Sequence, residues 1–174
     1  AVVTQVGLLF ALVCLLGRRW APIARLGDAA VETVAPLALP LALLVAAVAS
    51  GGRLYLSEVA DFPPCTLCWY QRIAMYPLVV ILAVAVIVRD RLVRRYVVPI
   101  AIIGSLIAVY HLLVERFPEL ETGSCDPNNP CSIIWVEHLG YVTIPAMALT
   151  AFLAIMVLTL LAPLTDPDSS QETS

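Results

Sequence analysis

Four cysteines stand in two close pairs: Cys65 and Cys68 form a C-x-x-C, and Cys125 and Cys131 flank Asp126-Pro127-Asn128-Asn129-Pro130. Paired thiols can take up or release two electrons through thiolate attack on a disulfide sulfur. The small ring that a C-x-x-C closes suits reversible chemistry, because a purely structural disulfide stabilises more when it closes a long loop. The residues inside the second pair are turn-forming. Such a loop can carry its sulfurs to an incoming protein and then to the other pair. Plainer uses exist: either pair could be a static clamp, or the two segments could be tied together once. All four cysteines could hold zinc, but the five residues inside the second pair exceed the roughly 2–4 usual for that metal. No metal is expected.

Arg72 lies four residues after Cys68, on the same face of a helix and one turn deeper. An arginine inside an apolar segment is costly and marks function by default. It could stabilise a Cys68 thiolate or bind a carbonyl oxygen of a lipid-soluble acceptor, or it could snorkel to the lipid headgroups. Trp69, Tyr70 and Tyr76 could wall a flat ring or simply anchor the interface. Pro77 can kink the helix and open space below the cysteines. His111 could sit level with Arg72 and donate to such an acceptor, although a lone histidine near an interface is more often a polar anchor. Glu137, His138 and Trp135 read as interfacial, and Cys14 as a small buried apolar residue.

These side chains need a scaffold, and the composition says which kind. The chain has 174 residues, of which 61% are hydrophobic and 13% charged. A soluble domain carries roughly 25% charge. The apolar residues fall in long runs, so the expected fold is an all-α integral membrane protein: a four-helix transmembrane bundle plus an additional N-terminal transmembrane helix. That extra span is residues 1–17; the others are 34–56 (apolar except Arg53), 65–88, 97–114 and about 141–162. Residues 133–140 are amphipathic enough to lie along the interface. The expected divisions are 1–33 for the extra span and its loop, 34–162 for the bundle, and 163–174 for a disordered tail.

All ten basic residues are arginine, and their placement orients the chain. The 18–33 and 89–96 segments are arginine-rich and read as cytoplasmic. The 57–65 and 115–132 segments hold only Arg116 against six acids, so both cysteine pairs face the oxidising side.

The stretch PCTLCWYQRIAMYPL, residues 64–78, resembles the signature of the DsbB family of membrane disulfide-forming proteins, especially its BdbC-type branch. Support continues in residues 97–118 and 130–152. The resemblance implies a four-helix membrane oxidoreductase in a bacterial cell membrane. It implies an extracytoplasmic thioredoxin-fold partner (DsbA- or BdbD-like) and a quinone, menaquinone or ubiquinone, as the acceptor. It further implies that the partner attacks Cys125, that Cys131 attacks Cys65, and that Cys68 meets the quinone beside Arg72, with His111 near the quinone. The first span has no counterpart in the family pattern. A vitamin K epoxide reductase-like enzyme is a second reading, disfavoured because its C-x-x-C follows the loop pair. A carrier delivering reductant outward, and a membrane scaffold with static disulfides, are further alternatives.

Overall fold

A computed structural model describes residues 33–162 apart from 91, 122, 124, 135, 136 and 139–141, together with residues 5 and 7. The expected first span, the loop after it and the polar tail therefore lie outside the described residues. Among the described residues four long helices follow one another: α1 (Ala38–Glu58), α2 (Thr66–Val88), α3 (Arg94–Arg116) and α4 (Ile144–Leu161). All four are long and apolar enough to cross a membrane. Each packs against its two neighbours in an antiparallel ring, α1 on α2, α2 on α3, α3 on α4 and α4 on α1.

The packing follows from small residues at helical spacing. On α1 the buried stripe is Ala38, Ala42, Ala46 and Ser50. Small side chains let backbones approach where the hydrophobic effect cannot drive helices together. Arg53 follows Ser50 by three residues and so falls on the inner side of α1. On α2 the inner face is Leu67, Gln71, Ala74, Met75, Leu78, Leu82 and Ala85. On α3 it is Val97, Ala101, Gly104, Ala108, His111 and Val114. Both runs recur at intervals of three or four residues, the helical period, with Ala74 and Met75 adjacent on α2, and both carry a polar residue into the bundle near the same end. The opposite faces expose Val80, Val84, Ile87, Ile103 and Leu106, as lipid contact requires.

At the α3–α4 contact, a β-carbon on Gly104 would lie 2.4 Å from the ring of Phe152, which is fully buried. Within α4, Thr150 and Thr159 donate to the carbonyls of Ala146 and Ile155, each at 2.7 Å, so their hydroxyls are satisfied without leaving the helix. Arg94 closes the far end by donating to the carbonyls of Thr159 and Ala162.

The helices run longer than their apolar cores at the charged ends. α3 begins at Arg94 and ends at Arg116 rather than spanning 97–114, because arginine and glutamate sustain a helix once it has started. Before α1, a 3-10 turn at Ala35–Leu37 occupies residues assigned to the span, with Pro36 in its first turn. Part of the segment assigned to the interface instead forms a two-residue ladder, β1 (Glu137–His138) antiparallel to β2 (Val142–Thr143). β-branched Val142 and Thr143 favour the extended form, and Pro145 in the first turn starts α4 only at Ile144.

Gly104→Val should therefore wedge α3 from α4. We expect a loss of about 1–3 kcal/mol, the usual scale of overpacking; a thermal midpoint in detergent micelles equal to wild type would contradict it.

Candidate functional site

α2 begins where the chemistry begins. Cys65 is its N-cap, in extended backbone, and its sulfur accepts the Cys68 N–H at 3.3 Å. The cap and the first helical turn hold the two sulfurs 2.9 Å apart, both as free thiols. Cys65 stands just before the span and is held well above the usual cysteine range, first by the hydrogen bond it shares with Cys68 and then by burial.

The second pair is closed as a Cys125–Cys131 disulfide, with Cα atoms 5.9 Å apart. The intervening turn makes the closure possible: Asn129 N–H donates to the Asp126 carbonyl at 2.9 Å, and Asn128 N–H to the Asp126 carboxylate at 2.8 Å. Asn129 also reaches the Pro63 carbonyl at 3.4 Å, tying this loop to the one before α2. Cys65, Cys125 and Cys131 are buried in one cluster with Leu67 and Val114, and Cys68 packs against it. Segments some sixty residues apart thus meet at one end of the bundle, opposite the α2–α3 connection with Arg89 and Arg94.

His111 lies where the two pairs join. Its Nε2 is 3.7 Å from the Cys65 sulfur and 3.2 Å from the Cys131 carbonyl oxygen, and its Nδ1 is 3.2 Å from Gln71 Nε2. Arg72 is buried and does not reach outward to headgroups. Its Nη2 donates to the Arg53 carbonyl at 2.9 Å, and its guanidinium lies 5.2 Å from the centre of the Trp69 ring. Trp69 and Tyr70 are half exposed, as interfacial aromatics are.

Arg53 and Gln71 belong to the site although the residue pattern had not singled them out. Arg53 donates to Gln71 Oε1 at 2.5 Å and to the Ile144 carbonyl at 3.3 Å. The signal was present: an arginine in an apolar span is as conspicuous at 53 as at 72, but its closeness to the cysteines depends on how α1 packs. Gln71 is almost wholly buried.

Beside this polar group a cavity of about 590 Å³ opens between α1, α2 and α4. Its walls are apolar, with Leu44, Val48, Met75 and Phe152 among them, and its polar side is Arg53, Gln71, Arg72 and Tyr76. Arg72 Nε and the Tyr76 hydroxyl are buried without a hydrogen-bond partner among the described residues. Unmet donors on an apolar cavity of this size suit a ligand with carbonyl oxygens on a greasy body. His111 does not line the cavity; Gln71 stands there and bonds to it. Cys65, Cys68 and His111 also offer three ligand atoms within 4.8 Å of one another. The two guanidinium groups beside them oppose a dication.

The model of the family described as "Disulfide bond formation protein DsbB" matches residues 35–162. The chain belongs to the DsbB family. It is 45% identical over 115 residues to disulfide bond formation protein C of Bacillus subtilis (strain 168), covering 66% of this chain and 83% of that protein. It is 45% identical over 120 residues to a probable disulfide formation protein of Oceanobacillus iheyensis, covering 66% and 80%. A probable disulfide formation protein C of Halalkalibacterium halodurans is 41% identical over 119 residues, covering 68% and 87%. No solved structure matches the chain. Membership makes this DsbB-family chain a multi-pass membrane disulfide oxidoreductase, in agreement with its four apolar helices and its paired cysteines.

The two pairs should open in order. With Cys14→Ala to remove the fifth thiol, stepwise reductant followed by alkylation and mass analysis should label Cys65 and Cys68 before Cys125 and Cys131. The reverse order would contradict the states found for the two pairs.

Proposed function

We propose that this chain is a thiol:quinone oxidoreductase that reoxidises an extracytoplasmic thioredoxin-fold dithiol oxidase and so supports protein disulfide formation. One observation carries the reading: the Cys65/Cys68 dithiol stands between a loop disulfide on one side and a cavity edged by two guanidinium groups on the other. In this reading residues 34–162 form the redox unit, flanked by 1–33 and the 163–174 tail. The protein lies in the bacterial cell membrane. The arginine-rich connection between α2 and α3 faces the cytoplasm, and both cysteine pairs face the other side.

The partner's thiolate attacks Cys125 and breaks the loop disulfide, releasing Cys131 as a thiolate. A second partner thiolate resolves the mixed disulfide, so the partner leaves oxidised and the loop is left as a dithiol. Cys131 then attacks Cys65 of a Cys65–Cys68 disulfide, and Cys68 departs with the electron pair. Cys125 attacks Cys131, which restores the loop disulfide and frees Cys65. The result is the state in the structure: loop closed, Cys65 and Cys68 reduced.

A quinone supplies a two-electron, two-proton acceptor, and reclosing Cys65–Cys68 releases that number of each. Arg72 and Tyr76 are the donors placed to hold its oxygens. Arg53 and Arg72 supply the positive charge beside the Cys68 sulfur, where a thiolate must form. Cys68 lies on α2 one turn above Arg72, which lines the cavity.

Given a reduced thioredoxin-fold dithiol oxidase, the purified protein should bleach a soluble quinone analogue, and Cys68→Ser should abolish turnover. Arg72→Leu and Tyr76→Phe should each raise the quinone KM, Arg72→Leu by about tenfold and Tyr76→Phe by roughly threefold, the scale of one buried hydrogen bond. No turnover by wild type, or full turnover by Cys68→Ser, would refute the reading.

A further inference from the structure

Arginine has no lone pair to offer, so every hydrogen bond it makes is a donation. Arg53 Nη2 lies 2.5 Å from Gln71 Oε1. That contact requires the amide oxygen at this position and turns the amide NH2 the other way, to 3.2 Å from His111 Nδ1. An amide NH2 only donates, so Nδ1 is the bare, accepting nitrogen and the ring proton sits on Nε2. On that side Nε2 meets the Cys131 carbonyl oxygen at 3.2 Å, which only accepts, and the Cys65 sulfur at 3.7 Å. The donors form one directed row: Arg53 to Gln71, Gln71 to His111, His111 to Cys131. Every member comes from a different segment, α1, α2, α3 and the loop before β1.

We infer that Arg53 and Gln71 are positioning residues for the exchange between the two cysteine pairs, holding His111 as an Nε2–H donor at the point where the pairs meet. The inference rests on the redox reading above and names a duty within it that falls outside the cavity. When Cys125 attacks Cys131, the Cys131–Cys65 bond breaks, the Cys125–Cys131 bond forms, and the electron pair leaves on Cys65. The Nε2–H already faces that sulfur and stabilises the departing thiolate by a hydrogen bond, with no proton leaving the ring. The same N–H holds the Cys131 backbone against the site, so one donor both docks the loop and receives the charge. The opposite tautomer would turn a lone pair toward the Cys131 carbonyl and the Cys65 thiolate, repelling both. Gln71 alone could not prevent it, because a free amide can rotate to accept from Nδ1–H; the guanidinium of Arg53 removes that choice.

The ring state can be read directly. In the full chain in detergent micelles, with histidine nitrogens labelled and His138→Gln removing the second histidine, nitrogen NMR should show His111 with Nε2 protonated and Nδ1 bare. Arg53→Met and Gln71→Leu should each give a mixture of tautomers, whereas Arg53→Lys, also a pure donor, should keep the single state. Transfer from the loop dithiol to a Cys65–Cys68 disulfide, followed by rapid alkylation, should slow by about tenfold in Arg53→Met and in Gln71→Leu, the scale of one hydrogen bond to a charged group. An Nδ1–H ring in the otherwise native protein, or an unchanged ring in both variants, overturns the inference. The first of these needs no altered site residue, so a variant that fails to fold does not shelter the idea. The ring measurement also needs no quinone. A protein with the expected ring that reduces no quinone refutes the redox reading separately.

Discussion

The hydrogen bond from Arg53 to the side-chain oxygen of Gln71 joins α1 to α2 near the end of the bundle that carries the cysteines. An arginine within a span is costly, about 2.5–3.5 kcal/mol at the helix centre even on the mildest insertion scale. Hydrocarbon offers it no water, so its donors must be met by protein. Here they are met by Gln71 and the Ile144 carbonyl, while Arg72 in turn takes the carbonyl of Arg53. The two cations thereby fasten α1, α2 and the start of α4 to one another. Truncating one partner would leave polar groups stranded in an apolar setting, and that asymmetry makes the network rigid.

Packing elsewhere is arranged so that this polar knot can exist. Alanine and serine at 38, 42, 46 and 50 bring α1 close enough for Arg53 to reach across. Gly104 lets Phe152 fill the centre between α3 and α4, which sets the inner face of α3 and hence the direction of His111, seven residues on. Apolar close packing and polar satisfaction are thus one problem, solved by the same small residues. What remains unfilled is the cavity beside Arg53 and Arg72, where Arg72 Nε and the Tyr76 hydroxyl have no hydrogen-bond partner among the described residues.

The cysteine pairs divide the labour by how they are held. Cys65 and Cys68 sit on the first turn of a long helix, and cap geometry alone brings their sulfurs within 2.9 Å. Cys125 and Cys131 sit on a turn secured by Asp126 and anchored to the preceding loop by Asn129. A helix-borne pair keeps a fixed distance to the cavity, while a loop-borne pair can present itself to another protein. His111 stands between the two modes, bonded to the helix through Gln71 and to the loop through the Cys131 carbonyl.

Four membrane-length helices were legible from the apolar runs, because lipid demands about 20 apolar residues and an internally satisfied backbone. The C-x-x-C at the mouth of α2 was equally legible, since the local period of a helix places Cys65, Cys68 and Arg72 without help from the rest of the chain. That both cysteine pairs share one end followed from counting spans. The ladder of Glu137–His138 with Val142–Thr143 was not legible, because two strands of two residues each leave no periodic trace. Nor was the company that Arg53, Gln71 and His111 keep. Arg53 was only an exception in an apolar run, Gln71 drew no reading, and His111 was placed level with Arg72; only the rotation of α1, α2 and α3 about their axes, set by alanine and glycine contacts, turns all three toward the cysteines. Sequence determined which residues lie at which depth and on which local face; tertiary structure decided which of those faces meet, because hydrogen bonding between helices depends on packing distances that no single helix encodes.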